Sequence, residues 1–169
     1  FVEHEWEDFQ RKVNDEVAAW TDAQNAYTRS LLDNLPGRSK IEAALRPLME
    51  IGSVSTPTVR GNRYFFTKRE GTQNQAILYY RDGYKGTSKL LIDPTKIDAD
   101  GLTTLSGTWP SQDGKLLAYG TYRKGDENTT IHLMEVETGK KLSAEIPGKA
   151  GGVEWLPDGS GFFYQRLAD

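Results

Sequence analysis

The sequence has no cysteine and only two histidines in 169 residues. The first lack excludes disulfides, thiolate zinc centres and thiol nucleophiles. The second leaves His4 and His132 as the only imidazoles, neither with a second ligand at metal-binding spacing. No apolar stretch approaches the roughly 18 residues of a membrane span, and the start has neither the basic region nor the apolar core of a secretion signal. Charge of one sign is never blocked: 21 basic and 24 acidic residues are interspersed for a formal net charge of -3, which gives nucleic acid no electrostatic footprint. Neither a nucleic acid nor a membrane is expected as a partner. The expected compartment is the cytoplasm, with the periplasm as the alternative if an upstream signal has been removed.

The usual carriers of chemistry are equally scarce. A serine nucleophile on a strand-to-helix elbow needs G-x-S-x-G, but Gly86-Thr87-Ser88 meets Leu90 where the closing glycine belongs, and Gly159-Ser160-Gly161 reads as a hairpin turn. Asp98-Ala99-Asp100-Gly101 resembles part of a calcium loop, yet the register puts Lys96 at the first ligand and Gly107 at the twelfth. It is read as a polar loop. His132, in a strand-like run, is read as a packed or hydrogen-bonded sheet residue. No residue is assigned a catalytic, cofactor-binding or metal-binding role, and no cofactor is expected.

What the chain does have is a phrase stated twice. Trp109-Pro110-Ser111-Gln112-Asp113-Gly114-Lys115-Leu116-Leu117-Ala118-Tyr119 returns as Trp155-Leu156-Pro157-Asp158-Gly159-Ser160-Gly161-Phe162-Phe163-Tyr164, aligned on Asp-Gly and on the closing tyrosine. Each copy reads as an Asp-Gly turn between apolar strands, and a return of about 40 to 50 residues is the spacing of β-propeller blades. A whole propeller of four to eight such blades needs roughly 180 to 400 residues. The expectation is therefore an α+β fragment, in which a helical arm precedes mainly antiparallel blades of an incomplete propeller.

Residues 1–52 read as that arm, after a lead-in from Phe1 to Arg11 left unassigned. From an N-cap at Asn14 or Asp15, the apolar positions Val17, Trp20, Tyr27, Leu31 and Leu35 share one helix face until Pro36-Gly37. Ser39 and Glu42 have the spacing of a capping box opening a second helix, with Ile41, Ala44, Leu45 and Leu48 as its apolar stripe and Pro47 as a kink or early stop. Two short helices cannot bury both stripes on each other, so a further surface is needed, either the β region or a domain outside this chain.

Residues 53–169 change to strand period. Runs are expected at 63–68, 75–81, 88–92, 115–121, 129–136, 141–146, 152–155 and 161–166, giving one blade over 53–103, a second over 104–149 and a third begun. One strand is apolar on both faces, Ile131 and Leu133 against Met134 and Val136, as blades sandwiched between neighbours require. Trp109, Trp155, Tyr64, Phe65, Phe162 and Phe163 repeat with the blades and are read as core.

Particular segments then point to a family. Trp20-Thr21-Asp22-Ala23-Gln24-Asn25-Ala26-Tyr27-Thr28, Leu35-Pro36-Gly37-Arg38, Arg63-Tyr64-Phe65-Phe66, Gly71-Thr72-Gln73-Asn74-Gln75-Ala76-Ile77-Leu78-Tyr79, Leu91-Ile92-Asp93-Pro94 and Asp113-Gly114-Lys115 through Gly120 resemble, in this order, the N-terminal part of prolyl oligopeptidases. The resemblance implies a serine peptidase cutting short peptides after proline, with a seven-bladed propeller over an α/β-hydrolase domain. It also implies that residues 1–52 pack on that hydrolase domain and that the propeller acts as a size filter. The implied partners are the remaining blades, the hydrolase domain and short proline-containing peptides. The family's Ser, Asp and His triad lies C-terminal to the matched stretch, so this chain alone is expected to be inactive. The alternative reading is a self-contained propeller-like binding module completed by oligomerisation.

Overall fold

From Val2 to Leu35 the sequence contains neither glycine nor proline, and the backbone stays helical through Val2–Leu32 (α1). The computed structural model describes residues 2–167. Helix α1 thus starts well before Asn14 and Asp15, which lie inside it and cap nothing; the missing breakers, not a polar cap, decide where it runs. It ends in a turn in which the Asp33 amide donates to Arg29 O at 3.0 Å and Gly37 takes a φ of 85°.

Helix α2 (Arg38–Met49) opens on Gly37, whose carbonyl accepts from the Ile41 amide at 3.0 Å. Ser39 therefore sits within the first turn, and the capping box expected with Glu42 does not form. Glu42 pairs instead with Arg46, one turn on, at 2.5 Å. Pro47 falls in the last turn, and the helix ends two residues later. The apolar stripes lie in the open: Val17, Trp20, Tyr27 and Leu31 on α1 and Ile41, Leu45 and Leu48 on α2 are all half-exposed or more. No residue of α2 is buried.

The chain divides into two compact units, Phe1–Met49 and Glu50–Asp169. The second consists of three antiparallel sheets, each built in chain order. The first contains β1 (Ser53–Val54), β2 (Thr58–Arg60), β3 (Arg63–Arg69), β4 (Ile77–Asp82) and β5 (Lys89–Ile92). Both β1 and β2 pair with β3, and together they make one interrupted inner strand. Pro57 has no N–H to give across that gap, and Ser55 fills it: its amide donates to Thr67 O and its Oγ accepts from the Thr67 amide, both at 2.9 Å.

The second sheet contains β6 (Thr103–Pro110), β7 (Leu116–Arg123), β8 (Thr130–Glu135) and β9 (Lys141–Ile146); the third is the hairpin of β10 (Ala150–Trp155) and β11 (Phe162–Arg166). Strands β1, β2 and β6 were not among the expected runs. Their sequences, Ser-Val, Thr-Val-Arg and Thr-Thr-Leu-Ser-Gly-Thr-Trp-Pro, carry little alternation of apolar and polar residues.

Sheets stack face to face. Phe65, Leu78, Tyr80 and Ile92 of the first meet Leu117, Tyr119, Met134 and Val136 of the second. On its other face the second presents Ala118 and Ile131 to Ala150 and Val153 of the third, with Leu133 beside them. The two-faced strand read from the sequence is therefore β8. Each fully buried aliphatic or aromatic side chain contributes about 1.5–3 kcal/mol, so the seams hold the stack together.

Candidate functional site at the blade junctions

The doubled phrase builds the same loop twice. In the first copy the Gly114 amide donates to Ser111 O and the Ser111 amide to Leu116 O, each at 2.9 Å. Asp113 Oδ1 accepts from the Lys115 amide at 3.0 Å and Ser111 Oγ at 2.8 Å. In the second, the Gly159 amide donates to Leu156 O at 3.0 Å and the Leu156 amide to Gly161 O at 2.9 Å, while Asp158 Oδ1 accepts from the amide and hydroxyl of Ser160. Both glycines take positive φ, 68° and 73°, the backbone region that excludes most side chains. Backbone and hydroxyl donors hold both carboxylates below their ordinary range. Gly159-Ser160-Gly161 is accordingly a turn and not a nucleophile elbow.

The two tryptophans, however, are not equivalent. Trp109 stands opposite Ala118, whereas Trp155 stands opposite Phe162, which corresponds to Leu117. A one-residue offset reverses the face a strand residue points to. Trp109 therefore faces forward and Trp155 backward into the same seam, where the Trp155 indole Nε1 donates to Trp109 O at 2.8 Å. The reading of the repeated aromatics as core holds for Phe65, which is buried, and for half-buried Trp109, Trp155, Tyr64 and Phe162. It fails for Phe163, 72% exposed on the free side of β11.

The first seam is clamped by Arg63, whose side chain is 18% exposed. Its Nε donates to Asp82 at 3.0 Å, one terminal nitrogen donates to Gly114 O at 3.1 Å, the other pairs with Glu137, and the guanidinium lies 5.3 Å from the centre of the Tyr80 ring. One side chain of the first sheet thus grips two loops of the second. Gln75 makes a second bridge: Nε2 donates to Gly101 O at 3.1 Å and Thr103 O at 2.9 Å, tying the loop before β4 to the start of β6. Both lie in segments quoted for the family resemblance, but nothing in their spacing announced a clamp.

Where the inner strands converge, a cavity of ≈ 170 Å³ opens between all three sheets, lined by Thr58, Arg60, Thr108, Gln112, Glu154 and the two tryptophans among others. Arg60 Nε is enclosed and has no hydrogen-bond partner among the described residues.

Two other polar clusters close largely on themselves, although Asp98 Oδ1 is enclosed without a hydrogen-bond partner among the described residues. His132 bridges Thr121 Oγ1 (2.8 Å) and Glu145 Oε1 (3.2 Å) and lies against Tyr119. Burial, then Lys141, lowers its pKa below the ordinary 6.5, against the pull of Glu145. It is a hydrogen-bonded sheet residue, as read from the sequence; the side chain of His4 lies outside the described residues. In the Asp98 loop, Thr103 Oγ1 donates to Asp98 and Arg123 pairs with both Asp98 and Asp100. The Thr103 hydroxyl, followed by Arg123, holds Asp98 at a pKa of about 2. Arg123 supplies the positive charge there, so the loop is an internal ion-pair cluster. No helix among the described residues is long and apolar enough to cross a membrane.

Against known proteins, the family described as "Prolyl oligopeptidase, N-terminal beta-propeller domain" matches residues 7–169. A prolyl endopeptidase of Elizabethkingia meningoseptica is 29% identical over 151 residues, covering 89% of this chain and 21% of the relative. Prolyl oligopeptidase A of Galerina marginata is 29% identical over 182 residues, covering 94% of this chain and 24% of the relative. Among solved structures, a chain from a study of two prolyl endopeptidases superposes with a TM-score of 0.84 at 35% identity, over 90% of this chain and 23% of that one. Prolyl oligopeptidase B from Galerina marginata, bound to a 35mer hydrolysis and macrocyclization substrate, superposes at 0.77 with 27% identity, over 90% of this chain and 24% of that one. The chain thus spans between a fifth and a quarter of the length of these relatives.

Proposed function

The chain belongs to the prolyl oligopeptidase N-terminal beta-propeller family, and from that premise we propose that it supplies the arm and opening blades of a serine peptidase cutting short peptides after proline. Residues 1–52 are the arm; residues 53–169 are two blades and the start of a third. The serine, aspartate and histidine that do the chemistry belong to an α/β-hydrolase domain outside these residues, and that domain covers the stripe of Trp20, Tyr27 and Leu31. The blades position and screen substrate. Unfolded peptides pass them, and folded proteins are held back.

The observation that carries this reading is the stacked succession of sheets, matched in order and geometry by a relative at a TM-score of 0.84. An open outer face supports it as well: Phe163 on β11 is 72% exposed, where a following sheet would cover it. One relative, prolyl oligopeptidase B of Galerina marginata, holds 25mer and 35mer substrates, which is in keeping with a filter that admits flexible chains of that length. A chimera tests it: the corresponding segment of the Elizabethkingia enzyme is replaced by this chain and the product is assayed on a chromogenic proline peptide and on a folded protein containing exposed proline. The expected result is cleavage of the peptide and sparing of the protein. A soluble, monodisperse chimera that cleaves neither would refute the peptidase role, and one that cleaves both would refute the filter.

A further inference from the structure

We propose that Arg69 latches the segment joining the two units, so that residues 50–54 open and close as a strap on the first sheet while the blades stay folded. The division between the units falls at Met49 and Glu50, and the chain enters the sheet through β1, a strand of two residues. Burial does not hold it there: every residue from 50 to 57 is exposed, with Ile51 at 60% and Val54 at 63%. A strand this short, with no apolar anchor, belongs to the low-stability end of a fold and opens locally unless something else pins it.

The pin is the guanidinium of Arg69, half-buried at the end of β3. Nη2 donates to Ile51 O at 2.9 Å, and Nη1 donates to Gly71 O at 3.0 Å and Gln73 O at 3.4 Å. One planar group therefore ties the incoming segment to the loop between β3 and β4, a fork that the single ammonium of a lysine does not reproduce. The loop is itself set: the Gln73 amide donates to Glu70 O at 2.9 Å, and the Glu70 amide donates to Gln73 Oε1 at 2.8 Å. Gly52 permits the close approach, since a Cβ there would lie 2.9 Å from Arg69 O. Ser53 then pairs with Arg69 in the strand register, so the side chain and backbone of one residue grip the strap on both sides of Gly52. Without the guanidinium, only the short backbone pairing of β1 remains. For the whole protein the consequence rests on the proposed function: an arm held by a hydrolase domain is tethered to the blades through a strap whose freedom Arg69 sets.

The test reads the latch on the purified 169-residue chain, so its failure leaves the peptidase reading untouched. A glutamate-specific endopeptidase cuts after Glu50 when the strap opens, whereas Glu145 in β9 and Glu154 in β10 are internal references that need the second and third sheets to open. Under native conditions the cleavage rate follows the population of the open form, and intact mass identifies the bond cut. Arg69→Met should raise the rate after Glu50 by about tenfold, the worth of one hydrogen bond from a charged donor, and leave the rates after Glu145 and Glu154 unchanged. Arg69→Lys should give a smaller rise at the same bond. An unchanged rate after Glu50 in Arg69→Met, or an equal rise at all three glutamates, overturns the latch. Should Arg69→Met fail to fold, as judged by loss of near-UV circular dichroism, Arg69→Lys decides: an unchanged rate after Glu50 overturns the proposal.

Discussion

Replacing Arg63 by methionine keeps the apolar stem against the seam and removes only the guanidinium. Its four contacts are unequal. Asp82 is 43% exposed and still held by Lys89 at 3.0 Å, and Glu137 is 64% exposed; exposed pairs of this kind contribute about 0–1 kcal/mol each. The contact over Tyr80 adds about 0.5–1 kcal/mol. Gly114 O lies in a part-buried position, and losing its donor costs about 1–3 kcal/mol. The expected loss is about 2–4 kcal/mol, a downward shift of the urea midpoint on the order of 1–2 M for a chain of this size. The assay is urea unfolding followed by near-UV circular dichroism, which reads the aromatic packing of the seams. Repeating it at about 0.5 M NaCl, where the screening length falls to roughly 4 Å, separates the contributions: most of the loss should persist, because it comes from the carbonyl and not from the exposed pairs. A loss below about 0.5 kcal/mol, or one abolished by salt, would refute the clamp.

Trp155→Phe removes the indole donor to Trp109 O while keeping an aromatic ring in the seam. It should cost about 1–2 kcal/mol and lower amide hydrogen-exchange protection in β10 and β11 while leaving β3 and β4 unchanged; equal loss in all three sheets would contradict a junction-specific role. His132, neutral and bonded in the fold, has a folded pKa below 6.5. Its neighbours are Thr121, Glu145, Lys141 and Tyr119. The unfolded chain therefore binds the proton first as pH falls. Its contribution to stability is present above about 6.5 and is lost as pH drops through the lowered folded value. Glu145, with its pKa lowered from 4.5 chiefly by Lys141, loses its contribution only below that window. Midpoints measured between about pH 7 and 5 should fall for the native chain, and His132→Asn should flatten that slope; an unchanged slope would exclude His132 as its source.

Legibility differed by element for physical reasons. The Asp-Gly loops were readable because positive φ demands glycine and the flanking amides demand an acceptor, so residue type and geometry are locally coupled. Strand β8 was readable because burial on both faces leaves no polar alternation. Strands β1, β2 and β6 were not: they lie at the inner ends of their sheets, where threonine and serine serve as well as valine, and Pro57 breaks one of them. The start of α1 carries no polar cap to mark it; its signal is the absence of glycine and proline back to Val2. The clamps were invisible for another reason. Arg63 meets Gly114 and Glu137 only once separate sheets stack, and no spacing within the chain encodes that meeting. The offset of Trp155 from Trp109 was present in the sequence as a single residue, but its consequence, two indoles facing one another, follows only from strand alternation.

The proposed function gives these residues an architectural role and leaves the reacting groups to another domain. Its most direct test is hydrolysis of a chromogenic proline-containing peptide by the purified chain, with and without a serine-directed covalent inhibitor. Release indistinguishable from buffer is expected in both cases. Turnover that the inhibitor abolishes would place a serine nucleophile within residues 1–169 and contradict it.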